Sequence, residues 1–181
     1  LGVIAVADTI KEDSAFAVKE LQKLGIEVVM LTGDNEKTAN AIGKQAGVDK
    51  VIAGVLPEGK EETVKELQKR GKTAMVGDGI NDSPALSAAD VSIAMKDASD
   101  IAREVADITL LSSDLNDLIL LRELSSKLFK RIEDNYSFII NFNSALILLG
   151  VFGVLSPATT ALLHNVSTVV ISGMSTRKYL K

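Results

Sequence analysis

Apolar positions along the chain fall into two regimes. Over residues 1–113, short apolar runs rich in Val and Ile, at 2–7, 26–31, 51–53, 73–76, 91–94 and 108–111, alternate with stretches of helical periodicity at 12–24, 36–45, 58–69 and 99–104. Runs that stay apolar suit the strands of a parallel sheet buried on both faces. Their alternation with helices predicts an open α/β domain whose ligands sit at the carboxyl ends of the strands. From Asp114, a residue suited to capping a helix, an amphipathic pattern runs through Leu120 and Leu128 and predicts a connecting helix over 114–136. The second regime is 137–176, which holds no Asp, Glu, Lys or Arg and has Ser156-Pro157 near its middle. A bilayer span takes about 20 apolar residues, so this block predicts two transmembrane helices and a short turn, with 177–181 as a tail; a buried soluble hairpin is the alternative.

Charge gives the expected topology. Lys127, Lys130 and Arg131 precede the block and Arg177, Lys178 and Lys181 follow it, which puts both flanks on the cytoplasmic side. The block is no signal peptide, since it lies late in the chain and Leu1 opens on an apolar run without a basic segment. With 181 residues, 46% of them hydrophobic, the chain can bury a core, and a net charge of -4 gives no reason to expect a nucleic-acid partner. No cysteine is present, which excludes disulfides and thiolate metal ligands within these residues. The chain opens inside the strand and helix pattern without Met and reads as a fragment.

Three stretches carry candidate chemistry, each at the carboxyl end of an expected strand. "MVGDGINDSPAL" places Asp78 and Asp82 around Gly77, Gly79 and Asn81. The glycines permit a tight path close to a ligand, and the carboxylates can converge on a hard cation such as Mg²⁺, which takes oxygen ligands. "VVMLTGDN" supplies Thr32, Gly33 and Asp34, a hydroxyl and backbone N–H groups at a helix start, fitted to phosphate oxygens. "LPEGKEE" supplies Lys60, a point charge suited to a phosphoryl group.

Together "MLTGDN", "LPEGK" and "MVGDGINDSPALSAADVSIAM" resemble the second to fourth motifs of the haloacid-dehalogenase superfamily, and in their wording the phosphorylation domain of the heavy-metal P-type ATPases. The resemblance covers essentially the whole chain, with "VADTIKEDS" similar to the hinge into that domain and the last helices similar to the family's final membrane pair. It implies a Rossmann-like parallel sheet with helices on both faces, followed by a transmembrane hairpin. It also implies ATP as substrate, Mg²⁺ on Asp78 and Asp82, Thr32 on the phosphoryl oxygens, Lys60 neutralising the phosphoryl group, Asn81 in support, and Asp34, beside Gly33, positioning nucleotide phosphates. The family's "DKTGT" nucleophile, nucleotide-binding insert, "TGE" loop and cysteine-bearing ion motif are not among these residues. The implied partners are therefore the rest of the pump, membrane lipid and a transition-metal ion, in the plasma (inner) membrane with the phosphorylation domain cytoplasmic. One departure stands out: "AMKDASD" occupies the place of the family's glycine-rich "AMGSGTD", a change expected to shift a surface loop and leave the phosphate alone.

Polar residues in the apolar block are candidates for the ion path. "NFN" offers Asn141 and Asn143; "HNVST" puts His164, Ser167 and Thr168 on one helical face, and His164 is the chain's single histidine. Imidazole and oxygen donors suit Zn, Co, Ni or Fe, whereas thioether suits Cu(I). Phe142 stands where the copper type has tyrosine, and "HNVST" comes nearest to the "HEGST" pattern of cobalt and related ions, with Asn165 for glutamate. A divalent exporter is the leading reading. The alternatives are a copper exporter, a membrane-anchored phosphatase needing an upstream "DxD" that Asp8 does not complete, and a non-catalytic binding module.

Overall fold

A computed structural model describes residues 10, 11 and 13–178, with the side chain of residue 80 left aside. The expected strand at 2–7, residues 6–9 and 12 of the hinge segment and the end of the tail lie outside these residues. The chain divides into two compact units, Leu1–Ile119 and Leu120–Lys181.

In the first unit the order is α1 (Ser14–Lys23), β1 (Val29–Leu31), α2 (Glu36–Ala46), β2 (Lys50–Ile52), α3 (Pro57–Gln68), β3 (Ala74–Gly77), a 3-10 turn (Ile80–Asp82), α4 (Ser83–Ala88), β4 (Val91–Ala94), α5 (Asp100–Val105) and β5 (Ile108–Thr109). Every strand pairing is parallel, as expected, but the strands form two sheets among the described residues: β1-β2 and β3-β4-β5. The short helix α4 was not expected. Its six residues, with Pro84 near the start, are too few to show helical periodicity.

Local chemistry sets the helix ends. Asn35 accepts the Thr38 amide at 3.0 Å to start α2, and Gly47 ends it with φ +77°, a left-handed turn that glycine adopts without strain. Gly43 lets α2 pack onto β2, because a Cβ there would lie 2.3 Å from Val51 Cγ2. Leu86, Ala94, Ala98 and Ala102 form a buried cluster, with Met75 and Ala106 packed against it.

The strands share one device at their starts. Asp49, Asp90 and Asp107 each stand just before a strand and accept a backbone N–H from the start of the neighbouring strand or the residue ahead of it: Val28 at 2.7 Å, Thr73 at 3.0 Å and Ser92 at 2.9 Å. These contacts hold the three carboxyls below their ordinary pKa. For Asp49 the Val28 amide is the main cause, for Asp90 the Lys72 ammonium and then the Thr73 amide, and for Asp107 the Ser92 amide and hydroxyl.

In the second unit, α6 (Asn116–Val151), which begins in the first, runs on without a break and α7 (Pro157–Ser175) follows. Asp114 accepts the Asn116 amide at 2.8 Å, so it assists the turn just ahead of the helix. Ser156 caps α7 through the Thr159 amide at 3.2 Å, with Pro157 at the first helical position. Arg131 donates to the Ser175 carbonyl at 3.3 Å and Asn135 to the Ser175 hydroxyl at 2.8 Å, tying the two helices at one end.

The transmembrane hairpin expected over 137–176 needs correction. Among the described residues no helix is long and apolar enough to cross a membrane. The reason is dilution: Asn135, Asn141 and Asn143 lie in α6, and His164 and Asn165 with several Ser and Thr residues lie in α7. Both helices nevertheless expose large apolar side chains, including Ile147, Val151 and Val169.

The aspartates before the strands give a pH signature. A carboxylate whose folded pKa lies below its unfolded value of about 3.9 stabilises the fold above that value, and loses the effect as pH falls through the folded value. Resistance to urea should therefore drop below about pH 4. The triple variant Asp49→Asn, Asp90→Asn, Asp107→Asn keeps acceptor oxygens but cannot titrate, so its acid limb should be flatter; an unchanged slope would assign acid sensitivity to other carboxylates.

Candidate functional site

The carboxyl end of β3 carries the densest chemistry. After Gly77 the chain passes through Asp78 and Gly79 into the 3-10 turn, closed by the Asp82 amide on the Gly79 carbonyl at 3.2 Å. The turn folds Asp82 back over β3. A Cβ at Gly77 would sit 3.1 Å from Asp82 Cβ and 3.4 Å from Leu86 Cδ1, so a glycine is what lets the carboxylate lie there. From the other side comes Lys60. Pro57 opens α3, and the Lys60 amide bonds the Leu56 carbonyl at 3.2 Å, which sets Lys60 in the first turn. Its Nζ donates to Asp82 Oδ1 at 2.5 Å, with both side chains only 15% exposed. A pair so far withdrawn from water loses solvation on both sides, and mutual neutralisation is what makes its position tenable.

Asp78 and Asn81 are exposed beside this pair, and the Asp78 carboxylate makes no hydrogen bond or ion pair with any described residue. Its backbone carbonyl does have a partner: the Ser99 amide donates to it at 2.8 Å. The sequence places Ser99 at the start of a helix, at the end of a segment expected to shift a surface loop, and gives it no part in the site. A main-chain contact of this kind depends on no side-chain type, so the only available signal was that "ASD" stands where the family's wording has "GTD".

Thr32, Gly33 and Asp34 form a closed loop after β1. The Thr32 hydroxyl donates to Asp34 Oδ2 at 2.9 Å and accepts the Asp34 amide at 3.1 Å. Two further bonds stitch the loop to the end of β2, Val55 N–H to the Thr32 carbonyl at 3.1 Å and Gly54 N–H to the Asp34 carbonyl at 2.8 Å. Since α3 begins two residues after Val55, the same stretch that holds this loop leads into the turn bearing Lys60. Among the described residues no direct hydrogen bond or ion pair joins Thr32 or Asp34 to Lys60, Asp78 or Asp82. A cleft of about 530 Å³ lined by Glu36, Asn40 and Lys50 to Gly54 contains none of Lys60, Asp78 and Asp82.

The donor set fits Mg²⁺. Asp78 has a free carboxylate, Asp82 retains Oδ2 beside the Gly77–Gly79 turn, and both offer hard oxygen. No group of three His, Cys, Asp or Glu side chains capable of holding a metal occurs among the described residues. Two carboxylates with water and phosphate oxygen suffice for Mg²⁺, which seldom uses an all-protein cage.

In the second unit, His164 Nδ1 lies 2.9 Å from Asn143 Oδ1, and Ser167 and Thr168 both donate their hydroxyls to the His164 carbonyl, at 2.7 and 3.1 Å. Asn143 and His164 line an open groove of about 740 Å³ together with Leu146, Gly150 and Thr160. Asn141 is exposed, and no hydrogen bond joins it to the His164 group among the described residues.

The chain is similar to several known proteins. The haloacid dehalogenase-like hydrolase family matches residues 1–90. The copper-exporting P-type ATPase of Bacillus subtilis (strain 168) is 45% identical over 180 residues, 98% of this chain and 22% of that protein. The copper-transporting ATPase 2 of Homo sapiens is 43% identical over 189 residues, 99% of this chain and 13% of its own length. A crystal structure of a zinc-transporting PIB-type ATPase superposes with a TM-score of 0.88 at 35% identity, over 97% of this chain and 29% of that one. The chain thus spans a quarter or less of these two curated relatives.

Gly77 provides the test of the site's geometry. Gly77→Ala should push Asp82 aside and weaken Mg²⁺ binding by roughly tenfold, the equivalent of about one hydrogen bond. Gly71→Ala, where an added Cβ meets nothing within 4 Å, is the control and should bind as before. Calorimetric titration with MgCl₂ compares the two; equal affinities would dissociate Asp82 from the metal.

Proposed function

Because this chain carries a haloacid-dehalogenase-like hydrolase domain and is homologous to part of the heavy-metal P-type ATPases, we propose that it supplies the Mg²⁺ and phosphoryl half of an ATP-driven metal pump together with two helices of its ion path. The observation that carries the reading is the Lys60–Asp82 pair over Gly77, with Asp78 free beside it. Lys60 is positioned to transfer its charge from Asp82 to an incoming phosphoryl oxygen, Asp78 and Asp82 would hold Mg²⁺, and Mg²⁺ when bound neutralises phosphate charge. Thr32 would turn its hydroxyl proton from Asp34 Oδ2 to a phosphoryl oxygen, Asp34 would help position the nucleotide phosphates, and Asn81 lines the exposed side. Phosphoryl transfer leaves little else for the protein to do beyond a nucleophile. "DKTGT" is not among these residues, so this chain alone turns over no ATP and depends on the remainder of the pump.

Support for a membrane setting comes from the relatives, not from the helices' own hydropathy. A helix too polar to cross a bilayer alone is tolerated within a bundle, where its Asn, His, Ser and Thr face other helices and its apolar side faces lipid. We place α6 and α7 in such a bundle in the plasma (inner) membrane, with the basic flanks and the phosphorylation domain cytoplasmic.

For the transported ion, the N and O donors of His164 and Asn143, with Ser167 and Thr168 adjacent, favour a divalent metal such as zinc, cobalt, nickel or iron. Copper is the second reading, supported by the names of the relatives above. In the full-length pump, His164→Ala should abolish ATP hydrolysis stimulated by the physiological metal and leave phosphorylation from inorganic phosphate intact. Stimulation of the unaltered pump by Cu(I) alone would install the copper reading, and full stimulation of the variant would remove His164 from the ion path.

A further inference from the structure

The segment "AMKDASD", which the phosphoryl chemistry did not absorb, lies against the metal-bearing turn rather than apart from it. β3 and β4 run parallel with Gly77 opposite Ala94, and the Met95 amide bonds the Gly77 carbonyl at 3.4 Å. Four residues further on, the Ser99 amide donates to the Asp78 carbonyl at 2.8 Å. Both ends of that contact differ in firmness. Asp78 sits in an exposed turn whose side chain has no partner among the described residues, whereas Ser99 is held on several sides. Its hydroxyl caps α5 by accepting the Ala102 amide at 3.2 Å. Ala98 and Ala102, on either side, are 2% and 0% exposed in the core cluster, and Arg103 Nε bonds the Ala98 carbonyl at 3.0 Å.

From this geometry we infer that Ser99 is a positioning residue for Mg²⁺ binding: its amide, held by a backbone anchored through the buried Ala98 and Ala102, sets the main chain at Asp78 and hence where the Asp78 carboxylate presents itself. Ser99 touches neither metal nor phosphate. It acts through the Asp78 carbonyl, and any residue with an N–H at position 99 can make the bond. The inference rests on the proposal that Asp78 and Asp82 hold Mg²⁺.

Two variants separate the amide from the hydroxyl. Ser99→Ala and Ser99→Pro both lose the capping hydroxyl, but only Ser99→Pro loses the amide, and the φ of -59° at Ser99 suits proline. In calorimetric titrations of the intact chain with MgCl₂, Ser99→Ala should stay near the unaltered affinity and Ser99→Pro should bind roughly tenfold more weakly, the scale of one lost hydrogen bond. Equal affinities in the two variants would overturn the inference while leaving the metal site in place. Failure of the unaltered chain to bind Mg²⁺ would remove both. A spectroscopic arm needs no folded proline variant: in the unaltered chain the Ser99 amide ¹⁵N–¹H resonance should move on Mg²⁺ addition with the midpoint of the Asp78 resonance, and in Asp78→Asn it should stay still. A Ser99 resonance indifferent to bound Mg²⁺ would overturn the inference by itself.

Discussion

The close approach of Asp82 to Gly77 is the constraint on which the carboxyl end of β3 depends. With 3.1 Å between the Asp82 Cβ and the place where a Gly77 Cβ would stand, the turn after β3 has no slack. That approach brings the carboxylate to Lys60, and the ion pair in turn fixes the first turn of α3 against the 3-10 turn. Leu86, one helical turn further on, lies 3.4 Å from the same point and is fully buried, so hydrophobic packing and charge placement converge on one backbone position. Core and site are therefore not separable here.

A division of labour follows along the parallel strands. At their starts, carboxylates are spent on backbone amides, where Asp49, Asp90 and Asp107 satisfy donors that three- or four-residue strands leave open. At their ends, carboxylates are left for chemistry: Asp78 has no side-chain partner among the described residues, and Asp82 engages Lys60 through one oxygen. The same residue type thus serves structure before the strands and stands at the candidate site after them.

Much of this was legible in the residues. The strands at 29–31, 50–52, 74–77, 91–94 and 108–109 fall within three residues of the ends of the Val- and Ile-rich runs, because buried parallel strands leave an unmixed apolar signal. The Mg²⁺ and phosphoryl candidates were readable because glycine, aspartate and lysine at fixed spacing carry their own chemistry. Helix α4 was hidden by brevity, and the Ser99 contact by being main-chain. At 136/137 the polarity of the sequence changes but no Gly or Pro intervenes before Gly150, so α6 continues where hydropathy alone drew a boundary. In the last segment a lack of charges concealed how far Asn and His lower the hydropathy of each helix.

The aspartates at the strand starts also bear on how the first unit assembles. Val28 and Asp49 are 21 residues apart, Thr73 and Asp90 17, and Ser92 and Asp107 15, so each bond closes one strand–helix–strand segment and none reaches across the whole unit. Loop closure over so few residues costs little entropy, and a topology built from such local contacts lowers the barrier that parallel sheets ordinarily face. Each segment can register its own pair of strands, which makes the two sheets products of short closures rather than of a single search.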